Sequence, residues 1–164
     1  MHIILEGIDA SGKSTLARHL SEALGYNVQP SEGPEKEPGE IITRIMRYDR
    51  LMQEGGIIFD RHPAFSHPIY SQGSKWMTRI PPAVINDLLT RPILIVYCRP
   101  MTEGFDNHVE NEAGEDPEHL KKVSANYTKW LADYDEWAVR HAHMIYNCGQ
   151  QFDETAQRIL KVVR

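Results

Sequence analysis

Residues 5–17 read LEGIDASGKSTLA (Leu5 to Ala17), and this stretch decides how the chain is to be read. Before it lies HIILE (2–6), a short, β-branched, apolar run that predicts a buried strand. After it comes STLARHLSEALG, where Leu16, Leu20, Ala23 and Leu24 fall on one helical stripe that stops at Gly25. Between strand and helix, Gly7, Gly12, Lys13 and Ser14 stand at the spacing G-x-x-x-x-G-K-[ST]. Glycine at those places lets the backbone turn back and approach an anion closely. The N–H groups at the start of the helix, with its dipole, then favour phosphate.

The expected phosphate cradle is Gly7, Asp9, Ala10, Ser11, Gly12, Lys13, Ser14 and Thr15. Lys13 would neutralise the β- and γ-phosphates, and the Ser14 hydroxyl would ligate Mg²⁺. ATP and Mg²⁺ are therefore the expected cofactors. A second carboxylate follows in GIIFD (56–60), an apolar strand that ends on an acid. Beside the first strand, Asp60 would face the same metal, or accept a hydroxyl proton. Its neighbour Arg61 would grip a planar phosphate in bidentate fashion or polarise the transferring group.

Working outward, apolar runs alternate with amphipathic stretches. NVQ (27–29), GIIFD, PILIVYC (92–98) and HMIYNC (143–148) predict strands. Residues 41–52, 81–90, 117–142 and 153–163 carry apolar residues at helical spacing, and Asp116 and Pro117 suit the start of the long third one. Two Pro and two Gly make 31–40 a loop, and Pro63, Pro68 and Gly73 predict an irregular segment over 61–80. Strand and helix in alternation imply a parallel sheet covered on both faces. The 164 residues suit one domain, 1–164, with no internal repeat. Hydrophobic residues make up 41% and charged residues 25%, the balance of a water-soluble globule. No run is long and apolar enough to span a bilayer, the start lacks the signature of a signal peptide, and Cys98 and Cys148 read as reduced core residues. A cytoplasmic location with no membrane partner is expected. The net charge of −5 argues against a surface that attracts polyanions as a whole.

The loop wording EGIDASGKST, followed by a strand ending Phe59-Asp60-Arg61-His62, resembles the thymidylate kinase and deoxynucleoside (monophosphate) kinase group of P-loop kinases. Glu37-Pro38-Gly39 is similar to a turn of thymidylate kinases, with Lys36 where those carry Arg. The phrase DRHPAFSHPIYS (60–71) resembles bacteriophage members of the group. The resemblance implies an α/β three-layer sandwich, a five-stranded parallel sheet in the order 2-3-1-4-5. It also implies a nucleotide acceptor, and it adds a homodimer to the expected partners. By position it gives Asp60 and Arg61 the roles of the family's Asp-Arg pair, so that Lys13, Asp60, Arg61 and Arg99 are the expected catalytic residues and Ser14 and Asp60 the metal ligands.

The chain departs from that pattern in the lid expected at about 99–116. It holds Arg99 but no other Lys or Arg, and it is rich in Glu and Asp; Lys121 and Lys122 arrive only in the next helix. Arg44 and Arg47, three apart on the second helix, either point at an acceptor phosphate or form a solvated face, and Arg50 lies three further on. Tyr70 and Arg61 line the candidate acceptor pocket, where His62 is either structural or hydrogen-bonded, while Phe65, Tyr70 and Trp76 either belong to the core or offer faces on which a base could stack. Trp130, Tyr134 and Trp137 read as core.

The expected reaction is ATP-dependent phosphoryl transfer to a nucleotide, a deoxynucleoside monophosphate in the first instance. The alternative within the class is a phage kinase acting on a hydroxyl of a modified base in DNA, such as 5-hydroxymethyluracil. The poverty of lid cations favours it and the acidic net charge opposes it, although Lys75, Trp76 and Arg79 could form a local strip for a strand. The alternative of another class is a nucleotide-dependent switch, an ATPase or GTPase. The sequence contains no Asn-Lys-x-Asp motif, and Asp60 is not followed by x-x-Gly.

Overall fold

The computed structural model describes residues 1–72, 78–101 and 117–164, with side chains in the last segment described from residue 124 onward. The expected lid beyond Met101, Asp116 as a cap, and Lys75, Trp76, Lys121 and Lys122 lie outside the described residues.

Strands β1 (His2–Glu6), β2 (Asn27–Gln29), β3 (Ile57–Asp60), β4 (Ile93–Arg99) and β5 (Met144–Asn147) pair in the order β2-β3-β1-β4-β5. Every pairing is parallel, with Leu5 opposite Asp60 and Glu6 opposite Tyr97. The described helices are α1 (Lys13–Leu24), α2 (Glu40–Leu51), α3 (Pro63–Tyr70), α4 (Pro82–Leu89), α5 (Pro117–His141) and α6 (Phe152–Val163). None is long and apolar enough to cross a membrane.

Alternation along β1 splits the core into two layers. Ile3 and Leu5 face Leu16 and Leu20 of α1 and Ile159 and Leu160 of α6. Ile4 faces the opposite way, towards Ile41, Ile45 and Tyr48 of α2, Phe65 of α3 and Leu88 of α4. Beside that second layer, Tyr127, Trp130, Tyr134 and Ala138 of α5 pack on Tyr97, Ile69 and Ile8. The expected core aromatics thus sit in the core. Cys98 is buried, Cys148 is partly buried, and both are free thiols.

One expectation is corrected. Most of the first half of 61–80 is helical, because Pro63 stands where a helix tolerates proline and packing holds the turn around Pro68. Pro63 stands in the first turn of α3, where its missing N–H is one that the helix leaves unpaired anyway. His62 precedes it in extended conformation, and its Nδ1 accepts from the Ala64 N–H at 3.2 Å, capping the helix. Pro68 lies inside, but burial of Ala64, Phe65 and Ile69 against the sheet holds this short helix in place.

Candidate functional site

Because the sheet is parallel, β1, β3 and β4 all end on one edge, and their last residues are Glu6, Asp60 and Arg99. The loop from Gly7 to Gly12 leaves β1 on that edge and enters α1. Gly7 has φ +144, and a Cβ there would lie 2.2 Å from the Cys98 carbonyl oxygen, so the loop leaves the strand pressed against β4. Gly12 takes the position before α1 with φ +74, and no side chain caps the first turn. The N–H groups there are free for an outside anion.

Lys13 is 5% exposed, and its Nζ donates to the Ile8 carbonyl at 2.6 Å and to Ser11 Oγ at 2.9 Å. The ammonium therefore lies across the mouth of the loop. Burial, with the nearby charge of Arg61, brings its pKa down to about 8, against the pull of Asp60 and Asp9. Ser14 Oγ donates to Asp60 Oδ2 at 2.8 Å, although 46 residues separate the two. Asp60 Oδ1 is buried and has no hydrogen-bond partner among the described residues.

An orphaned carboxylate oxygen beside a hydroxyl is a hard-oxygen pair that fits Mg²⁺. Among the described residues no group of three or more His, Cys, Asp or Glu could hold a metal. A magnesium ion here would take most of its ligands from water and phosphate, as this ion usually does.

Arg61 has φ +69, rare for a residue with a side chain. Its guanidinium ties the loop to α3: Nε donates to the Gly7 carbonyl at 3.0 Å, and Nη2 donates to the Asp9 carboxylate and to Tyr70 OH at 3.0 Å. It also stands 5.1 Å from the Tyr70 ring centroid. Tyr70 in turn packs edge-on to Trp130. Asp60, Arg61, Tyr70 and the loop are thus brought together.

The remaining candidates sit differently. Arg44 is 5% exposed; it donates to the Gly33 carbonyl at 2.6 Å and to Glu40 at 2.7 Å, and Arg47 pairs with Glu32. Two of the three arginines of α2, Arg44 and Arg47, are thus engaged by acids of the 31–40 segment. Arg99 makes a bidentate pair with Asp135 of α5, at 2.9 and 3.0 Å, and Tyr97 OH donates to the same carboxylate at 2.7 Å. The ring of His62 is fully buried, and burial lowers its pKa to about 3, so it is neutral. It lines a cleft of about 300 Å³ between α2 and α4 with Ile42, Ile45, Met46 and Val84, none of them in the phosphate loop.

Two acids that sequence reasoning missed shape the site. Glu6 is fully buried; Oε1 accepts from the His62 N–H at 2.6 Å and Oε2 from Tyr134 OH at 3.1 Å. Burial raises its pKa to about 7 despite those bonds and the charges of Arg61 and Lys13. The available signal was a carboxylate ending an otherwise apolar strand. Glu35 has a side chain 3% exposed. It accepts from Gly39 N–H at 2.8 Å and Thr78 Oγ1 at 2.7 Å, and so staples the 31–40 segment and the start of α2 to Thr78, ahead of α4. Burial pushes its pKa up, but hydrogen bonds from Thr78, Ile41 and Gly39 outweigh that and leave it lowered.

A lowered folded pKa means that Glu35 stabilises the protein above its unfolded pKa and loses that contribution as pH falls through the folded one. Glu35→Ala is expected to cost about 1–3 kcal/mol at neutral pH by leaving those donors unpaired. Urea unfolding at pH 7 and again at pH 3 measures it, with the gap between variant and parent shrinking at the lower pH.

Comparison with solved structures agrees with this layout. The YorR protein from Bacillus subtilis, solved in complex with phosphorylated GDP, superposes with a TM-score of 0.76 at 24% identity, over 99% of this chain and 95% of that one. The deoxyadenosine kinase from M. mycoides, solved with the products dCMP and a flexible dCDP, gives 0.64 at 16% identity over 99% and 98%. Shikimate kinase from Acinetobacter baumannii in complex with shikimate gives 0.61 at 18% over 99% and 92%. The fold is the P-loop kinase fold. No protein-family model and no curated protein sequence matches the chain.

Proposed function

We propose that this protein is an ATP-dependent kinase acting on a nucleotide, in the first instance a deoxynucleoside monophosphate, and that 1–164 forms one such domain. The observation that carries the reading is the convergence of Ser14 Oγ, Asp60 and Lys13 on the mouth of a loop whose first helical turn is uncapped. In that reading Lys13 exchanges the Ile8 carbonyl and Ser11 for β- and γ-phosphate oxygens. Ser14 and Asp60 hold Mg²⁺, which would offset charge on the triphosphate. The bond from γ-phosphorus to the bridging oxygen breaks, the acceptor oxygen bonds to that phosphorus, and ADP leaves. Where the acceptor is a neutral hydroxyl, Asp60 would instead take its proton, and Ser14 and the phosphates would hold the metal. Catalysis is then mainly positioning and charge neutralisation. The resemblance to deoxynucleoside kinases and the solved structures with bound nucleotides support a nucleotide acceptor.

A second reading is favoured by the ion pairs of Arg44, Arg47 and Arg99. With these cations engaged by Glu40, Glu32 and Asp135, these three arginines offer little to a free monophosphate. An acceptor hydroxyl on a modified base in DNA needs no such clamp. Measuring ADP release against a panel of deoxynucleosides, their monophosphates and hydroxymethyl-base DNA separates the two. The first reading expects a monophosphate to raise turnover well above slow hydrolysis; the second expects only the DNA to do so. Asp60→Asn should lower transfer by about 10²-fold or more with either acceptor, the scale of one electrostatic group at a reacting centre. If nothing in the panel raises turnover, neither reading survives.

A further inference from the structure

Arg61 carries an unfavourable backbone conformation at the centre of the site, and conformations of this kind persist only where their surroundings hold them. Three consecutive residues of β1 and the loop hold this one. The Arg61 N–H donates to the Leu5 carbonyl at 2.9 Å, the His62 N–H donates to Glu6 Oε1 at 2.6 Å, and Arg61 Nε donates to the Gly7 carbonyl at 3.0 Å. Two of these acceptors are main-chain carbonyls that any sequence would offer. The middle one is a side chain, and a fully buried carboxylate at that. Its other oxygen is fixed by Tyr134 OH, 128 residues away on α5, at 3.1 Å.

We propose that Glu6 is a positioning residue for phosphoryl transfer: by binding the His62 N–H it locks the turn at Arg61, and so aims Asp60 at Ser14 and the Arg61 guanidinium at the phosphate loop. This rests on the kinase reading above. Glu6 itself touches neither nucleotide nor acceptor. Without the carboxylate, the peptide between Arg61 and His62 loses its partner and is free to turn out of the left-handed region. Asp60 immediately precedes that turn, so its carboxylate would shift relative to Ser14. A misplacement of about 1 Å at a reacting centre can cost on the order of 10²-fold in rate.

Three substitutions test this. Glu6→Gln keeps an acceptor oxygen at the same reach. Glu6→Asp keeps the charge but withdraws the acceptor by one methylene. Glu6→Leu removes it. The expected order is that Glu6→Gln retains most of kcat, while Glu6→Asp and Glu6→Leu lose about 10²-fold in kcat with nucleotide affinity little changed. A merely structural role would instead lower affinity and thermal midpoint together and would not be rescued by Gln. The NMR resonance of the His62 amide proton provides a readout that needs no acceptor. It should lie far downfield in the parent, stay downfield in Glu6→Gln, and move upfield in Glu6→Asp. Should Glu6→Leu fail to fold, Glu6→Asp decides.

An unchanged kcat in Glu6→Asp, or a His62 amide that ignores the substitution, overturns the proposal. If the parent transfers phosphate to nothing while the amide responds as expected, it is the kinase reading that fails and not the contact.

Discussion

Lys13→Ala is expected to give a folded protein that transfers phosphate about 10³-fold more slowly, the scale on which one cation at a transferring phosphoryl group acts. The ammonium of Lys13 is the cation nearest the loop's mouth, and nothing else among the described residues is placed to substitute: Arg61 is tied to Gly7, Asp9 and Tyr70. The same variant should be no less stable than its parent at pH 7 when no nucleotide is bound. Burial holds the Lys13 pKa at about 8, below its ordinary value of 10.5, so below pH 8 the folded protein carries a charge that its surroundings disfavour. A lowered lysine pKa means that the unfolded chain binds more protons between the two values, so stability contributed by this site rises with pH across that window. Thermal midpoints of both proteins from pH 7 to 10.5 check the sign. Any stability advantage of the variant should be greatest near pH 7 and fade towards pH 10.5, and the activity loss is measured at pH 7, where Lys13 carries its charge.

The second large effect falls on stability and binding together. Gly7→Ala would place a methyl group 2.2 Å from the Cys98 carbonyl oxygen, at a φ of +144 that residues with side chains hardly ever adopt. The obstacle is backbone of the adjacent strand β4 and cannot swing aside. The loop must move, or β1 and β4 must separate at their C-terminal ends. A cost of about 4 kcal/mol or more is expected, beyond the range of ordinary single substitutions, together with loss of ATP binding. Gly12→Ala is the informative contrast. Its methyl would meet Cys148 Sγ at 2.9 Å, the end of a side chain that can rotate, so the global loss should be smaller even though the loop is still strained at φ +74. Urea denaturation with ATP titration of both variants measures the difference. Equal losses would mean that the close approach to β4 is not what requires glycine at position 7.

Much of the site was legible before any coordinates, and the reason is local. The fixed positions of the phosphate loop lie within eight residues, and Asp60 ends a strand whose place beside β1 is what the resemblance to P-loop kinases implies. The boundaries of strands and helices were legible to within a residue or so for the same reason, because period-2 and period-3.6 patterns are properties of short windows. The error over 61–80 came from treating Pro63 and Pro68 as breakers. Position within the helix decides what a proline costs, and only the structure shows that Pro63 occupies the first turn.

What the chain by itself determined, then, is the loop and a parallel sheet with Asp60 at the end of one of its strands. What only the tertiary structure decided is the state of the charges around them. Arg99 meets Asp135 across 36 residues, Arg47 meets Glu32 across 15, and Glu6 meets Tyr134 across 128. Pairings at such separations leave no periodic trace in the sequence, because they depend on which helix packs against which strand. Whether a basic residue is free to hold phosphate depends on those neighbours. The sequence can therefore name the cations, and the fold alone tells which of them are already engaged.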